Sequence, residues 1–113
     1  MAAIAPQPPV PALALPWPAK RIAELCRKWK VQELAVFGSA VRGDFGPGSD
    51  LDLLVRFAPD AEWTLLDHSR MERELEDVFG RRVDLVTRAA IEESPNWVVR
   101  REILASARTA YAR

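Results

Sequence analysis

The chain has 113 residues, a length typical of one domain, and its 16 basic residues balance its 16 acidic ones. Proteins that bind long nucleic acids through the phosphates usually carry a basic excess, so the formal net charge of zero argues against direct nucleic-acid binding. The single cysteine excludes an intrachain disulfide and a cysteine-rich metal site, and no apolar run reaches the roughly 20 residues of a membrane span. The N-terminus also lacks the continuous apolar stretch of a signal peptide, so we expect a cytoplasmic protein without membrane contact.

Residues 1–18 hold six of the nine prolines. Such a composition favours extended polyproline conformations, so we predict a proline-rich N-terminal tail, followed by a domain that spans residues 19–113. Leu13, Leu15 and Trp17 could anchor this tail on the domain. We favour an incidental extension, and a proline-motif ligand for a partner is the alternative.

The first predicted helix covers residues 19–30, in which Ile22, Leu25, Cys26 and Trp29 recur at helical spacing. Cys26 is expected to be a small apolar residue of the core or its boundary. Another face of the helix is basic, and we interpret it as solvated. Its members are Lys20, Arg21, Arg27, Lys28 and Lys30.

A short strand is predicted over residues 34–37, where it ends at Gly38, and Ser39 can cap a brief helix after it. Residues 43–49, GDFGPGS, form a loop that is rich in residues which break helices and strands. The following segment, DLDLLVRF at 50–57, alternates at first and then becomes apolar, which predicts a second strand.

A longer helix is predicted over residues 64–79. Thr64 and Asp67 have the spacing of a capping box, and Gly80 is a natural C-terminal stop. The buried stripe of this helix is predicted to consist of Leu65, Leu66, Leu75, Val78 and Phe79.

A third strand is predicted over residues 82–87, and a last helix begins at Ser94, with Pro95 in its first turn. The apolar surface of that helix is predicted to come from Trp97, Val99, Ile103, Leu104 and Tyr111. The order of helices and strands predicts a small α/β or α+β fold, in which helices cover a short sheet.

Asp50 and Asp52 are separated by one residue in the second predicted strand, so both side chains should point to the same face of the sheet. Two carboxylates that close repel each other, and an apolar sheet face disfavours their ionisation further. A shared cation removes both effects, and magnesium is typically bound by one or two carboxylates together with substrate phosphates. Asp84 in the third strand would complete a three-carboxylate cluster if that strand neighbours the second.

Gly38 and Ser39 supply a complementary feature. A glycine between a strand and a helix lets the backbone approach a ligand closely, and the start of the helix offers free N–H groups to a phosphate. The Ser39 hydroxyl and the Arg42 guanidinium can add donors. Gly38-Ser39, then ten residues, then Asp50-Leu51-Asp52 is a much more specific pattern than either half alone. Carboxylates beside a phosphate-binding turn are the parts of a phosphoryl or nucleotidyl transfer site.

With this pattern the chain resembles the DNA polymerase beta-type nucleotidyltransferase superfamily, and in particular its minimal nucleotidyltransferases. The resemblance covers about residues 19–113. It implies a palm-like α+β fold with a short mixed sheet flanked by about four helices, together with magnesium and a nucleoside triphosphate, usually ATP. It also implies that Gly38 and Ser39 hold the triphosphate, and that Arg42 and Ser49 occupy further positions that can contact phosphate.

The same resemblance implies that Asp50, Asp52 and Asp84 are the metal ligands and catalytic carboxylates. The implied mechanism uses two magnesium ions, of which one activates an acceptor hydroxyl and the other steadies the triphosphate. The hydroxyl attacks the α-phosphorus in line, and pyrophosphate leaves. Asp84 is expected to ligate the ion that faces the acceptor and to accept the proton.

The acceptor is expected to be presented by another macromolecule, because only about 95 residues follow the tail and they contain no obvious nucleic-acid module. Stand-alone minimal nucleotidyltransferases resemble antitoxins paired with a HEPN-domain ribonuclease toxin, to which they attach AMP at a tyrosine. The leading hypothesis is therefore a protein adenylyltransferase that acts as an antitoxin. Two alternatives remain: an antitoxin that blocks its partner by contact alone, and an enzyme that modifies a small molecule or an RNA end with a separate subunit.

The remaining conspicuous residues are interpreted structurally. His68, the only histidine, is expected at the surface rather than in catalysis. Trp29, Trp63 and Trp97 are expected to anchor the core or an interface, and an exposed tryptophan would indicate a partner-binding surface. The segment MERELED at 71–77 is expected to form a solvated charged face, made by Glu72, Glu76 and Asp77.

Overall fold

The computed structural model describes residues 17–42, 46 and 48–112, and the side chain of Arg42 lies outside the described part. Over these residues the chain folds into five helices and four strands, which confirms the predicted α+β fold class. The helices are α1 (Ala19–Lys28), α2 (Ser39–Arg42), α3 (Leu65–Phe79), α4 (Arg88–Glu92) and α5 (Trp97–Ser106). The strands are β1 (Val31–Phe37), β2 (Leu51–Phe57), β3 (Val83–Thr87) and β4 (Arg108–Ala112). Among the described residues, no helix has the length and apolar character needed to cross a membrane.

The four strands form one mixed sheet in the order β3-β2-β1-β4. β1 pairs antiparallel with both β2 and β4, whereas β3 pairs parallel with β2. A parallel pair requires a crossover connection, and α3 provides it. Phe37 is the partner of Asp52 across the first pair, and Asp52 is the partner of Asp84 across the parallel pair. The topology therefore brings the end of β1 and the beginnings of β2 and β3 to one end of the sheet.

One face of the sheet packs against α1 and α3 and forms the larger part of the core. β2 contributes Leu51, Leu53 and Val55, which are almost completely buried on this face. Alternation along a strand sends intervening residues to the opposite face. These alternating buried positions fix the register of β2, because a slip by one residue would move the whole apolar set to the opposite face of the sheet.

The opposite face carries a smaller apolar cluster that includes Phe37 and Leu54. Ile103 and Leu104 of α5 pack against this cluster, so α5 covers this side of the sheet. Asp52 is two residues before Leu54 and therefore points to the same side. The predicted site consequently lies on the face that α5 covers.

α1 contributes Ile22 and Cys26 to the larger core, as predicted. Burial raises the pKa of the Cys26 thiol to about 12, so the thiol stays protonated at neutral pH and is no nucleophile. Before the helix, Trp17 packs on Phe79 with ring centroids 5.2 Å apart, so this predicted tail anchor does contact the domain. The other two predicted anchors, at positions 13 and 15, lie outside the described residues.

Trp29 and Trp63 anchor the region between α1 and α3, as predicted. Their rings meet edge to face with centroids 5.0 Å apart, and Trp63 Nε1 donates to the Trp29 carbonyl oxygen at 3.0 Å. Trp29 Nε1 in turn donates to the Glu74 carboxylate on α3 at 3.1 Å. Both indole N–H groups are thus satisfied although the rings are largely covered. Trp97, in contrast, is 59% exposed.

Local signals define α3 as predicted. The Thr64 hydroxyl accepts from the Asp67 N–H at 3.1 Å, and the Asp67 carboxylate accepts from the Thr64 N–H at 3.0 Å, which completes the capping box. The hydrogen bond from the Thr64 N–H, followed by that from its hydroxyl, lowers the pKa of Asp67. Gly80 ends the helix in the left-handed conformation, with φ at 68°.

The predicted buried stripe of α3 is wrong at its beginning. Met71 and Leu75 are buried, but Leu65 and Leu66 are 89% and 64% exposed. Leu66 lies two and a half helical turns before Leu75 and so faces the opposite side of the helix. The remaining members of the stripe, Val78 and Phe79, are half-buried against the core.

The C-terminal region differs most from the prediction. The Asn96 side chain accepts from the Val99 N–H at 3.2 Å and caps α5, so Pro95 precedes the helix instead of lying in its first turn. Tyr111 is buried in β4 rather than placed along the helix. α4 and β4 were not predicted, since each has only five residues and no glycine or proline marks its boundary. The other predicted elements are present, with ends shifted by one to three residues.

Candidate active site

The sheet register places two of the three predicted carboxylates side by side. Asp52 and Asp84 are partners in the parallel β2–β3 pair, so their side chains project from the same face of neighbouring strands. Asp52 is half-buried and Asp84 is exposed. Asp50 is also exposed and lies one residue before β2, so the strand predicted from residue 50 begins one residue later. All three carboxylates belong to the same end of the sheet.

Gly38 brings backbone against one of these carboxylates. Its φ is +73°, and a Cβ atom at this position would overlap the Oδ2 atom of Asp52. Residues with side chains rarely adopt a positive φ, and here a side chain would also displace the carboxylate. Ser39 follows as the first residue of α2. The predicted Gly38-Ser39 turn is therefore adjacent to Asp52, and only glycine fits its first position.

The loop before Asp50 is held by a residue that the sequence analysis did not identify. The Ser49 hydroxyl accepts from the Gly46 N–H at 3.0 Å. Arg81, in the turn between α3 and β3, donates from Nη1 to the carbonyl oxygens of Gly46 and Ser49, both at 3.2 Å. Arg81 thus ties the segment that leads into β2 to the segment that leads into β3. A contact between two loops has no periodic signal in the sequence, which is why it was missed.

α5 forms the far wall of the site. A cavity of about 330 Å³ lies between this helix and the sheet, a volume in the range of small-ligand sites. The sheet contributes Phe37, Gly38 and Asp52 to its lining. The helix contributes four residues at i, i+3, i+4 and i+7 spacing, namely Val99, Glu102, Ile103 and Ser106. Glu102 adds a second carboxylate to the cavity, across from Asp52, and helical spacing is the one sequence signal for it.

The arrangement suits magnesium without forming a complete cage for it. Within residues 17–42, 46 and 48–112, no three His, Cys, Asp or Glu side chains are grouped closely enough to hold a metal ion. Magnesium usually takes only one or two protein carboxylates and completes its coordination with water and substrate phosphates. Asp52 and Asp84 in register, with Asp50 nearby in sequence, match that donor set.

On the charged face of α3, Asp77 is exposed as predicted, whereas Glu72 and Glu76 are half-buried and bonded to β3. Glu76 Oε2 accepts from the Val83 N–H at 3.1 Å, and Glu72 Oε2 accepts from the Leu85 N–H at 2.9 Å. His68 Nε2 donates to the Leu85 carbonyl oxygen at 2.6 Å, so this half-buried histidine is bound to a strand instead of facing water. These side chains are bonded because α3 lies beside β3, and the helical pattern of the sequence does not define that position.

Both the sequence and the fold of this chain have counterparts in known proteins. A family model described as a nucleotidyltransferase domain matches residues 19–109. The chain belongs to this family. It is therefore a nucleotidyltransferase, as the Gly38-Ser39 and Asp50-Leu51-Asp52 pattern predicted.

Individual relatives of this nucleotidyltransferase agree with the family assignment. The protein adenylyltransferase MntA of Thermococcus cleftensis is 38% identical over 81 residues, which are 72% of this chain and 80% of the relative. A solved structure of a candidate minimal nucleotidyltransferase is 40% identical, with a TM-score of 0.60 over 79% of this chain and 87% of that chain. A crystal structure of a toxin–antitoxin pair with AMP-PNP shares the fold, with 20% identity and a TM-score of 0.66 over 86% of this chain and 75% of that chain. The resemblance to minimal nucleotidyltransferases is thereby confirmed.

Proposed function

We propose that this nucleotidyltransferase transfers AMP from ATP to a hydroxyl group of a partner protein and so acts as the antitoxin of a toxin–antitoxin pair. The observation that carries the proposal is the close approach of Gly38 to Asp52, with Asp84 in register beside it. The similarity to a protein adenylyltransferase supports protein as the acceptor. The shared fold with a toxin–antitoxin pair that binds AMP-PNP agrees with an adenine nucleotide and a toxin partner.

The nucleotide end of the site is assigned to the turn after β1. Gly38 allows the backbone to approach a triphosphate, and the Ser39 hydroxyl can donate to it. Ser49 accepts one hydrogen bond through its oxygen, so its hydroxyl proton remains available to a phosphate. Arg42 is the proposed guanidinium contact to the same group.

The carboxylates are assigned to magnesium, with two ions as the resemblance implies. Asp50, Asp52 and Asp84 would supply the protein oxygens. Magnesium held there would offset the charge of the triphosphate and acidify the acceptor hydroxyl. Asp52, already half-buried under α5, would be the ligand best shielded from water.

Asp84 is assigned to the acceptor side because it is exposed beside the half-buried Asp52. An acceptor hydroxyl that approaches from outside would reach this carboxylate and transfer its proton to it. The hydroxyl oxygen would form a bond to the α-phosphorus while the bond to pyrophosphate breaks. We assign the acceptor to a tyrosine of a HEPN-domain ribonuclease, following the resemblance to minimal nucleotidyltransferase antitoxins.

The experiment that tests this function asks whether neutralisation is covalent. A purified HEPN-domain ribonuclease, preferably one encoded beside this protein, is incubated with the chain, ATP and magnesium, and the chain is then removed. We expect the ribonuclease to stay inactive after removal. It should regain activity if the incubation used the Asp50→Asn, Asp52→Asn double variant. Asp77→Asn, a change of an exposed carboxylate on α3, is the matched control and should behave as the unsubstituted chain does.

A second candidate, neutralisation by contact alone, is favoured by the exposed apolar start of α5. Trp97, Val98 and Val99 are each between 43% and 59% exposed, as a partner-binding surface would be. Under this alternative the ribonuclease would recover fully once the chain is removed, even after incubation with ATP and magnesium. The double variant would then inhibit as well as the unsubstituted chain.

A further inference from the structure

β3 is an edge strand whose outer side is occupied by side chains. β2 pairs with one side of it, and β3 is the first strand in the sheet order, so among the described residues no strand lies on its other side. An exposed strand edge presents unpaired N–H and C=O groups that can pair with another chain. In this chain α3 runs along that edge and supplies the missing partners from its charged face.

The partners form a ladder that follows the helical repeat. His68, Glu72 and Glu76 are four residues apart from one another and therefore lie on one stripe of α3. Glu76 accepts from the Val83 N–H and Glu72 accepts from the Leu85 N–H, at 3.1 and 2.9 Å. A carboxylate that accepts from a backbone N–H makes a charge-assisted hydrogen bond, which is stronger than a bond between neutral groups.

His68 completes the ladder with a defined tautomer. A carbonyl oxygen only accepts, so the Nε2 atom that lies 2.6 Å from the Leu85 carbonyl must carry a proton. Both the neutral Nε2–H tautomer and the charged ring satisfy this requirement.

The residue between the two ladder N–H groups is Asp84. Val83 and Leu85, which flank it, are each bonded to α3, while the pairing with β2 holds Asp84 opposite Asp52. We propose that Glu72 and Glu76, with His68, are positioning residues that fix the Asp84 backbone and so set the distance between the Asp84 and Asp52 carboxylates. The proposal deepens the proposed AMP transfer and rests on it. The backbone on both sides of Asp84 would thus be held in place although the Asp84 side chain itself is exposed.

The test uses two changes at one ladder residue. Glu72→Gln keeps an oxygen that can accept from the Leu85 N–H, whereas Glu72→Leu removes it. Asp77→Leu removes an exposed carboxylate of the same helix, which makes no ladder contact among the described residues, and serves as the control. Glu76→Leu acts on the other flank of Asp84 and gives a second reading if Glu72→Leu does not fold. Each variant is checked by thermal unfolding before use.

Two quantities are measured, the amide hydrogen exchange of Leu85 by NMR and the kinetics of AMP transfer to the HEPN partner. For Glu72→Leu we expect roughly tenfold faster exchange and a roughly tenfold lower kcat, with the KM for ATP unchanged. Glu72→Gln should recover most of both values, because its neutral amide oxygen still accepts from the Leu85 N–H, and Asp77→Leu should alter neither. A purely structural edge contact would speed exchange without lowering kcat.

The outcomes separate this proposal from the proposed function. If the unsubstituted chain transfers AMP and Glu72→Leu does so with the same kcat, the positioning role is wrong and the function stands. Unchanged exchange at Leu85 would also overturn the positioning role. If the unsubstituted chain transfers no AMP, the proposed function is wrong, and the positioning role falls with it.

Discussion

Gly38 and Gly80 have nearly the same backbone conformation in very different surroundings. Their φ angles are +73° and +68°. A Cβ atom on Gly38 would overlap the Asp52 carboxylate, whereas a Cβ atom on Gly80 would meet no described atom within 4 Å. The two glycines therefore form a matched pair. Alanine at either position would strain the backbone, but only alanine at position 38 would also displace Asp52.

At this scale we predict that Gly38→Ala and Gly80→Ala separate stability from catalysis. Each should lower the free energy of unfolding by about 1–2 kcal/mol, because alanine is strained at a positive φ. Gly38→Ala should in addition lower AMP transfer by about 10²-fold, since it moves Asp52, whereas Gly80→Ala should leave it unchanged. Urea unfolding and a single-turnover transfer assay measure the two effects. Equal activity in the two variants would show that Asp52 is not where catalysis takes place.

At the scale of elements, local signals and tertiary position had different predictive value. The ends of α3 were predictable because Thr64, Asp67 and Gly80 act within one helical turn. β4 could not be predicted, because its strand conformation depends on pairing with β1 rather than on a pattern in its own sequence. The role of Glu72 was missed for the same reason. The helical pattern places Glu72 on a polar face, and it does not show that the edge of β3 lies beside that face.

The candidate site divides in the same way. Asp52 and Asp84 could be predicted as neighbours because two strands connected by one helix tend to lie side by side in a sheet. Arg81 could not be predicted, because its role depends on a contact between two loops. Glu102 has a helical spacing to the other cavity-lining residues of α5, but that spacing does not tell which side of the sheet α5 covers. Residues that act through strand order and spacing are visible in a sequence, and residues that act through packing are not.

The capping box of α3 gives a prediction about pH. Hydrogen bonds from Thr64 lower the pKa of Asp67 below its unfolded value, so the ionised carboxylate stabilises the folded state. This contribution is fully present above the unfolded pKa and is lost as the pH falls through the lowered, folded pKa. Thermal unfolding of the chain and of Asp67→Asn should therefore differ at neutral pH and converge in acid. A difference that stays constant down to acid pH would contradict this assignment.

At the scale of the whole molecule, α5 has two roles on two sides. Its inner side lines the cavity that contains Asp52, and its first turn exposes Trp97 and Val98 to the outside. Val99 is 43% exposed and also lines the cavity, so the outward surface is continuous with the site. A partner protein that contacts this turn would bring its own surface to the carboxylates.

We predict that Trp97→Ala weakens binding of the HEPN partner by more than about tenfold. Tryptophans that become buried when two proteins bind contribute much of the binding energy of an interface. Leu65→Ala removes a side chain that is 89% exposed on α3 and does not line the cavity, and it should have little effect. Calorimetric titration without ATP measures both affinities in the absence of turnover. An equal loss in both variants, or none in Trp97→Ala, would place the interface elsewhere.

The central claim is that this nucleotidyltransferase modifies a protein partner with AMP through Asp50 and Asp52. The intact mass of the HEPN partner, recorded after incubation with the chain, ATP and magnesium, tests it most directly. We predict a mass increase of one or more AMP groups with the unsubstituted chain and with Asp77→Asn, and no increase with the Asp50→Asn, Asp52→Asn double variant. An unmodified partner that is nevertheless silenced by both the unsubstituted chain and the double variant would contradict the claim and establish inhibition by contact.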